Sequence, residues 1–207
     1  MMYIIGIAGG SGSGKTTLVE SILSRIPQNE IAILPQDAYY KDNSHMPMED
    51  RLMVNYDHPD SIEWELLLKD INGLKKGETI ERPTYSYLSC SRLPETIPIS
   101  PKKILLVEGI LLYTCLPLCK ELDMKIFLEV PADRRLTRII ERDMKSRGRT
   151  ALEVIERYYK TVRPMHEEFI EPSRQQADML VMGGGLNGNA AEFIAAAICQ
   201  KININCK

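Results

Sequence analysis

The chain opens on Tyr3-Ile4-Ile5-Gly6-Ile7-Ala8, a short run with no charged position. A run of this length, apolar throughout, predicts a strand buried on both faces of a parallel sheet. The period then changes. Leu18, Val19, Ile22, Leu23 and Ile26 recur at helical spacing until Pro27 stops the pattern. The same two patterns keep alternating. Residues 30–35 read as a second strand ending at Gln36-Asp37, and Ile104-Leu105-Leu106-Val107 as a third, tipped by Glu108. Residues 124–130 and 178–182 supply a fourth and a fifth. Between them, Asp60 or Ser61 caps a helix whose buried face is Ile62, Leu66, Leu67, Ile71 and Leu74. Pro131-Ala132-Asp133 opens a basic helix running to Arg142, residues 152–162 form another, and 190–202 form a closing helix. The polar stretch 41–50 reads as loop.

Residues 78–101 break the alternation. Thr79, Ile80, Tyr85, Tyr87, Thr96, Ile97 and Ile99 are strand-like, yet Pro83, Pro94 and Pro98 exclude a central strand. A small antiparallel flap on the sheet edge is expected. The whole predicts one α/β domain over residues 1–207: three layers, a five-stranded parallel sheet and helices on both faces. Ligands of such sheets sit at the carboxyl ends of the strands.

Composition narrows the classes. A net charge of -2, from 26 Lys+Arg and 28 Asp+Glu, argues against a nucleic-acid footprint. The opening apolar run is too short for a membrane span or a signal peptide, so a cytoplasmic protein without a membrane partner is expected. Cys90, Cys115, Cys119, Cys199 and Cys206 form no C-x-x-C pair and meet no histidine cluster. Idle thiols are expected, neither zinc nor a disulfide scaffold. His45, His58 and His166 are scattered and offer no histidine-based mechanism; His58 is expected to shape the turn before Pro59.

Between the first strand and the first helix lies Gly9-Gly10-Ser11-Gly12-Ser13-Gly14-Lys15-Thr16, which fits G-x-x-x-x-G-K-[ST]. Phosphate oxygens need close-approaching backbone N–H groups, and glycines clear the way for them. Lys15 is expected to carry its ammonium to the β/γ-phosphates, Thr16 to place its hydroxyl on Mg²⁺, and the helix N-terminus to face the anion. Strand, loop and helix come in the order that a nucleoside-triphosphate site (P-loop) requires.

Phosphoryl transfer further needs a metal, a group for the acceptor proton, and positive charge over the transferring group. Asp37 and Glu108 end neighbouring strands, so one can hold the metal while the other takes the proton. Arg142, Arg147 and Arg149 flank Gly148 in a stretch almost without apolar content, which suits a lid closing over the triphosphate.

Several further stretches resemble the uridine/cytidine kinases, a family of P-loop kinases, nearly end to end. They are residues 6–17, Gln36-Asp37-Ala38-Tyr39-Tyr40, Asn55-Tyr56-Asp57-His58-Pro59-Asp60, Val107-Glu108-Gly109-Ile110, Arg142-Asp143 with Arg147-Gly148-Arg149, and residues 162–173. The resemblance implies transfer of the γ-phosphate of ATP, or of GTP, to a nucleoside 5′-hydroxyl. It assigns the loop from Gly9 through Ser11, Ser13 and Gly14 to Thr17 to the nucleotide, with Arg149. It makes Asp37 the general base beside Lys15, Arg142 and Arg147, and gives Thr16, Glu108 and Asp37 to the Mg²⁺ site. Asp57 would bind ribose hydroxyls, while Tyr40 and Tyr85 would line the nucleoside site. A homotetramer, a flap over about 78–101 and a lid over about 134–150 are also implied.

The departures cluster on the acceptor side. The family's flap motif appears as Tyr85-Ser86-Tyr87-Leu88-Ser89-Cys90-Ser91-Arg92, so Cys90 stands at the base-reading histidine and Ser86 at an aspartate. A ribose-binding arginine aligns with Ile139, and a pyrimidine-touching glutamine aligns with Arg157. A thiol is a poor substitute for imidazole as a hydrogen-bonding group. Arg157, if it points inward, favours an acceptor bearing a carboxylate or phosphate. Two outcomes are open: a kinase whose acceptor departs from uridine, or a uridine kinase that tolerates the changes. Other readings are a phosphoribulokinase-like or pantothenate-kinase-like enzyme and a non-catalytic ATP-binding module. The retained Asp37 and lid arginines speak against the last.

Overall fold

Five parallel strands run β2-β5-β1-β6-β7 across the centre of the computed structural model, which describes residues 2–204. They are β1 (Tyr3–Gly9), β2 (Ile31–Pro35), β5 (Ile104–Gly109), β6 (Met124–Glu129) and β7 (Met179–Met182). Period-two alternation sends their side chains into two cores. Ile4, Leu34, Leu105, Val107 and Phe127 face one layer, while Ile5, Ile7, Ile31, Leu106 and Leu128 face the other. Helix α1 (Lys15–Leu23) and the closing helix Gly188–Lys201 cover the second face. Helices α3 (Trp64–Lys75) and α4 (Leu116–Glu121) cover the first. The expected α/β architecture is present.

Several boundaries differ from expectation. The flap is a hairpin of β3 (Ile80–Ser86) and β4 (Ser91–Ile99) that pairs only with itself, and it does not extend the sheet edge. Its prolines withhold N–H donors, and the register shifts at Pro83/Thr84. Neither Asp60 nor Ser61 caps α3; residues Pro59–Ser61 form a 3₁₀ turn, and Ser61 Oγ donates to the carbonyls of Tyr56 and His58. His58 does shape that turn, its Nδ1 accepting from Asp60 N at 3.1 Å. The end of the 41–50 stretch enters a short helix, α2 (Met48–Met53).

The basic helix α5 (Ala132–Ser146) runs a full turn past Arg142. Its charged residues are good helix formers, and its last turn buries Asp143 instead of an apolar side chain. Helix α6 (Ala151–Arg157) starts on a capping box of Thr150 and Glu153. It then continues through π and α turns to Ser173, beyond the expected stop at 162. Pro164 and Pro172 suggest a break, but each falls at the start of a short α turn, Arg163–Met165 and Glu171–Ser173, directly after a π turn. Cys90, Cys115 and Cys119 are free thiols; Cys199 is disulfide-bonded, so the expectation of an idle thiol fails there. Cys206 lies outside the described residues. No helix is long and apolar enough to cross a membrane.

Candidate active site

The loop between β1 and α1 turns on glycines that no other residue replaces. Gly12 (φ 77°) and Gly14 (φ 89°) are left-handed, and a Cβ on Gly12 would stand 2.6 Å from the Arg135 carbonyl. Gly14 begins α1 without any side-chain cap, which leaves the first-turn N–H groups facing the loop. Lys15 reaches back over the loop, its Nζ donating to Gly9 O at 3.1 Å and Gly10 O at 3.3 Å. Burial pulls its pKa down, while Glu108 and Asp37 pull it up.

Sheet register brings the acids to Lys15. Glu108, near the end of β5, stands opposite Ile7 on one side and Pro35 on the other. Asp37 follows two residues later in a 3₁₀ turn, Gln36–Tyr39, just beyond the strand end. Gln36 anchors that turn by accepting from Leu111 N at 2.9 Å. Burial pushes the Glu108 carboxyl up to about 7; Lys15 opposes this and Asp37 adds to it.

One cavity of about 400 Å³ gathers these groups. Ser11, Lys15, Thr16, Asp37 and Glu108 line it together with Tyr40, Asp57, Tyr85, Cys90 and Arg157. Arg142 borders it from α5, and Arg147 and Arg149 from the turn that follows. Gly9, Gly10, Gly12, Gly14 and Ser13 do not line the cavity, and neither does Thr17, exposed on α1. Gly10 instead backs onto Arg135 and His166.

Arg142, Arg147 and Arg149 converge on Asp143, which is fully buried. Arg142 Nη2 lies 2.8 Å from Oδ1, Arg149 Nη1 2.9 Å from Oδ2, and Arg147 Nε 3.5 Å from Oδ1. Burial alone would raise the Asp143 pKa, but Arg142 and Arg147 outweigh it and hold the carboxyl below its ordinary value. Across the cavity lining, Arg157 Nη2 lies 2.8 Å from Asp57 Oδ2, and Arg157 Nη1 lies 3.7 Å from Asp143 Oδ2. Burial disfavours the Arg157 charge, yet the two carboxylates keep it above its usual value. Tyr40 packs against Tyr56 and Tyr85 with ring centroids 5.3 and 5.0 Å away, which makes an aromatic wall. Cys90 takes a left-handed conformation (φ 49°) and its thiol donates to Tyr87 O at 3.5 Å.

Tyr56, Tyr87 and Asp143 were not singled out from sequence as site residues. For Tyr87 a signal existed, since it follows Tyr85 by two positions and shares its face of the flap. For Asp143 the signal was a lone acid with arginines one before it and four and six after it.

The profile of the phosphoribulokinase/uridine kinase family matches residues 4–187. The chain belongs to that family. Uridine kinases of Bacillus cytotoxicus and Bacillus cereus are each 45% identical to it over 205 residues, 97% of either chain. Among solved structures, a putative fructose transport system kinase from a Silicibacter species matches at TM-score 0.70 and 21% identity. It covers 87% of this chain and 89% of its own. Phosphoribulokinase from Rhodobacter spheroides matches at 0.66 and 17% identity over 87% of this chain and 70% of its own. At these identities the solved structures show a shared fold.

A kinase of this family works with a nucleoside triphosphate and a divalent metal, and the donor set suits both. Among the described residues no group of three or more His, Cys, Asp or Glu side chains could hold a metal alone. The hydroxyl of Thr16 with the carboxylates of Glu108 and Asp37 is a hard oxygen set of the kind Mg²⁺ shares with phosphates.

Proposed function

We infer that the protein transfers the γ-phosphate of ATP to the 5′-hydroxyl of a pyrimidine nucleoside. In this reading the backbone of residues 9–17 and Lys15 hold the triphosphate, and Thr16 and Glu108 hold Mg²⁺, with Asp37 close by. The metal would supply charge neutralisation between the β- and γ-phosphates. Asp37 accepts the proton of the acceptor hydroxyl, and Arg142, Arg147 and Arg149 balance charge on the transferring group. Tyr40 and Tyr85 flank the base, Asp57 engages the ribose diol, and Cys90 lies where the base edge is read.

The observation that carries the choice of acceptor is the Arg157–Asp57 pair. A free guanidinium would call for an anionic acceptor. Here its charge is matched by Asp57 and, at longer range, by Asp143. An acid and a guanidinium side by side offer an acceptor and donors to a neutral vicinal diol, as a ribose has. The expectation of a carboxylate- or phosphate-bearing acceptor therefore loses its support, and uridine and cytidine are the acceptors proposed. GTP as donor, a homotetramer and a cytoplasmic location stay part of the proposal through the resemblance.

A panel of nucleosides and phosphorylated or carboxylated alcohols, scored by ADP release with and without Mg²⁺, tests it. Turnover of uridine or cytidine is expected to exceed that of every anionic alcohol. The reverse order would overturn the reading.

A further inference from the structure

Tyr87 sits near the tip of the flap, and its ring is partly exposed. Its hydroxyl nevertheless reaches the floor of the cavity and donates to Asp37 Oδ2. From above, the Arg147 guanidinium lies 3.8 Å from the centre of its ring. One side chain thus touches the acid that faces the acceptor and an arginine of the lid. Facing a carboxylate, which only accepts, the phenol hydroxyl must supply the proton of this hydrogen bond. Its role is that of a donor.

Asp37 has two oxygens, and no protein group donates to Oδ1 among the described residues. Fixing Oδ2 restricts carboxylate rotation and leaves Oδ1 for a further contact. The stack of Arg147 on the ring adds a cation–π contact that joins the lid to the flap.

We propose that Tyr87 is a positioning residue: its hydroxyl orients Asp37 for the acceptor, and its ring docks Arg147 of the lid. The proposal rests on the kinase reading above and separates into two arms. Tyr87→Phe keeps the ring and removes the hydroxyl. It is expected to lower kcat about tenfold to a hundredfold, the scale of one charge-assisted hydrogen bond, while KM for ATP stays within about twofold. Tyr87→Leu removes both features and is expected to show the same kcat loss with a severalfold rise in KM for ATP. A purely structural role would move both parameters together in both variants.

A kcat of Tyr87→Phe within about twofold of the parent protein overturns the first arm. So does an increased kcat or a lowered acceptor KM, because then the phenol merely occupies the place of the acceptor hydroxyl. The second arm is read without turnover, by calorimetric titration of an ATP analogue. Tyr87→Leu is expected to bind it severalfold more weakly, and Tyr87→Phe as the parent does. Equal binding by Tyr87→Leu overturns the lid contact. If the parent turned over no nucleoside at all, the kinase reading would fail while this titration still judged the contact.

Discussion

Arg157 and Asp57, a hundred positions apart in the chain, meet at 2.8 Å across the acceptor end of the cavity. The guanidinium comes from the last turn of α6, and the carboxylate from the turn before α3. Of the two carboxylates Arg157 meets, Asp57 is the nearer, with Asp143 at 3.7 Å, so the pair is expected to bear on acceptor binding before the nucleotide.

Arg157→Gln should therefore act on one substrate only. Losing a charge-assisted bond from a buried carboxylate corresponds to about 1.5–3 kcal/mol. Acceptor KM is expected to rise about tenfold to a hundredfold, with KM for ATP unchanged. Steady-state kinetics with each substrate varied in turn checks this; a rise in both constants would place Arg157 in the lid instead.

Asp37→Asn and Lys15→Ala should separate binding from chemistry. The amide cannot accept the acceptor proton, so turnover is lost while affinity for an ATP analogue stays nearly unchanged. Lys15→Ala weakens that affinity itself, since an ammonium is removed from the polyphosphate end. Calorimetric titration of both variants decides. Equal loss of affinity in Asp37→Asn would move Asp37 to metal duty.

The lid hangs on Asp143. Replacing it with Asn leaves the guanidinium groups of Arg142, Arg147 and Arg149 without their shared buried carboxylate. The expected cost is about 3 kcal/mol, the scale of breaking a buried pair, with a large fall in kcat. Urea unfolding measures the first, and an unchanged midpoint would show that the arginines find other partners. The pH window follows from the lowered pKa of Asp143. Its contribution is present above the unfolded value of 3.8 and is lost as pH falls through the lower folded value.

His166 titrates in the opposite sense to most surface histidines. Burial, and then Arg135, lower its pKa from 6.5 to about 4, so the ring is neutral at pH 7. Its Nε2 lies 3.4 Å from Glu171, which is then a contact with a neutral ring. Between pH 6.5 and 4 the unfolded chain binds the extra proton, so stability falls as pH drops through that window and is level above it. His166→Gln should flatten the slope there. An unaltered slope in denaturant titrations at stepped pH would show the ring to be accessible.

Gly109 is required by Gln36. A Cβ at Gly109 would stand 2.0 Å from Gln36 Oε1 and 2.4 Å from Gln36 Cβ. Gly109→Ala is expected to cost about 1–3 kcal/mol through overpacking and, because Asp37 follows Gln36, to lower kcat. Full activity with normal thermal stability would show that Gln36 moves aside freely.

The phosphate end of the site was legible because its signals are local. The turn at Gly12 and Gly14, the position of Lys15 and the flanking apolar strand and helix lie within some 25 consecutive residues. The strands were legible for the same reason, since burial on both faces leaves an unbroken apolar run. Helix ends were less so. Pro164 reads as a stop, yet the chain passes it in the short α turn Arg163–Met165 between two π turns, with Val162 and Ile170 buried on either side.

By itself, then, the sequence determined the sheet, the glycine loop between its first strand and first helix, and the place of two acids at or just beyond the ends of neighbouring strands, because periodicity and short-range backbone geometry encode them. Only the tertiary structure decided that Arg157 neutralises Asp57, that Asp143 gathers the lid arginines, and that Tyr87 bridges Asp37 and Arg147. Those contacts join separate elements through long polar side chains, and a polar residue carries no periodic mark of which distant partner it will meet.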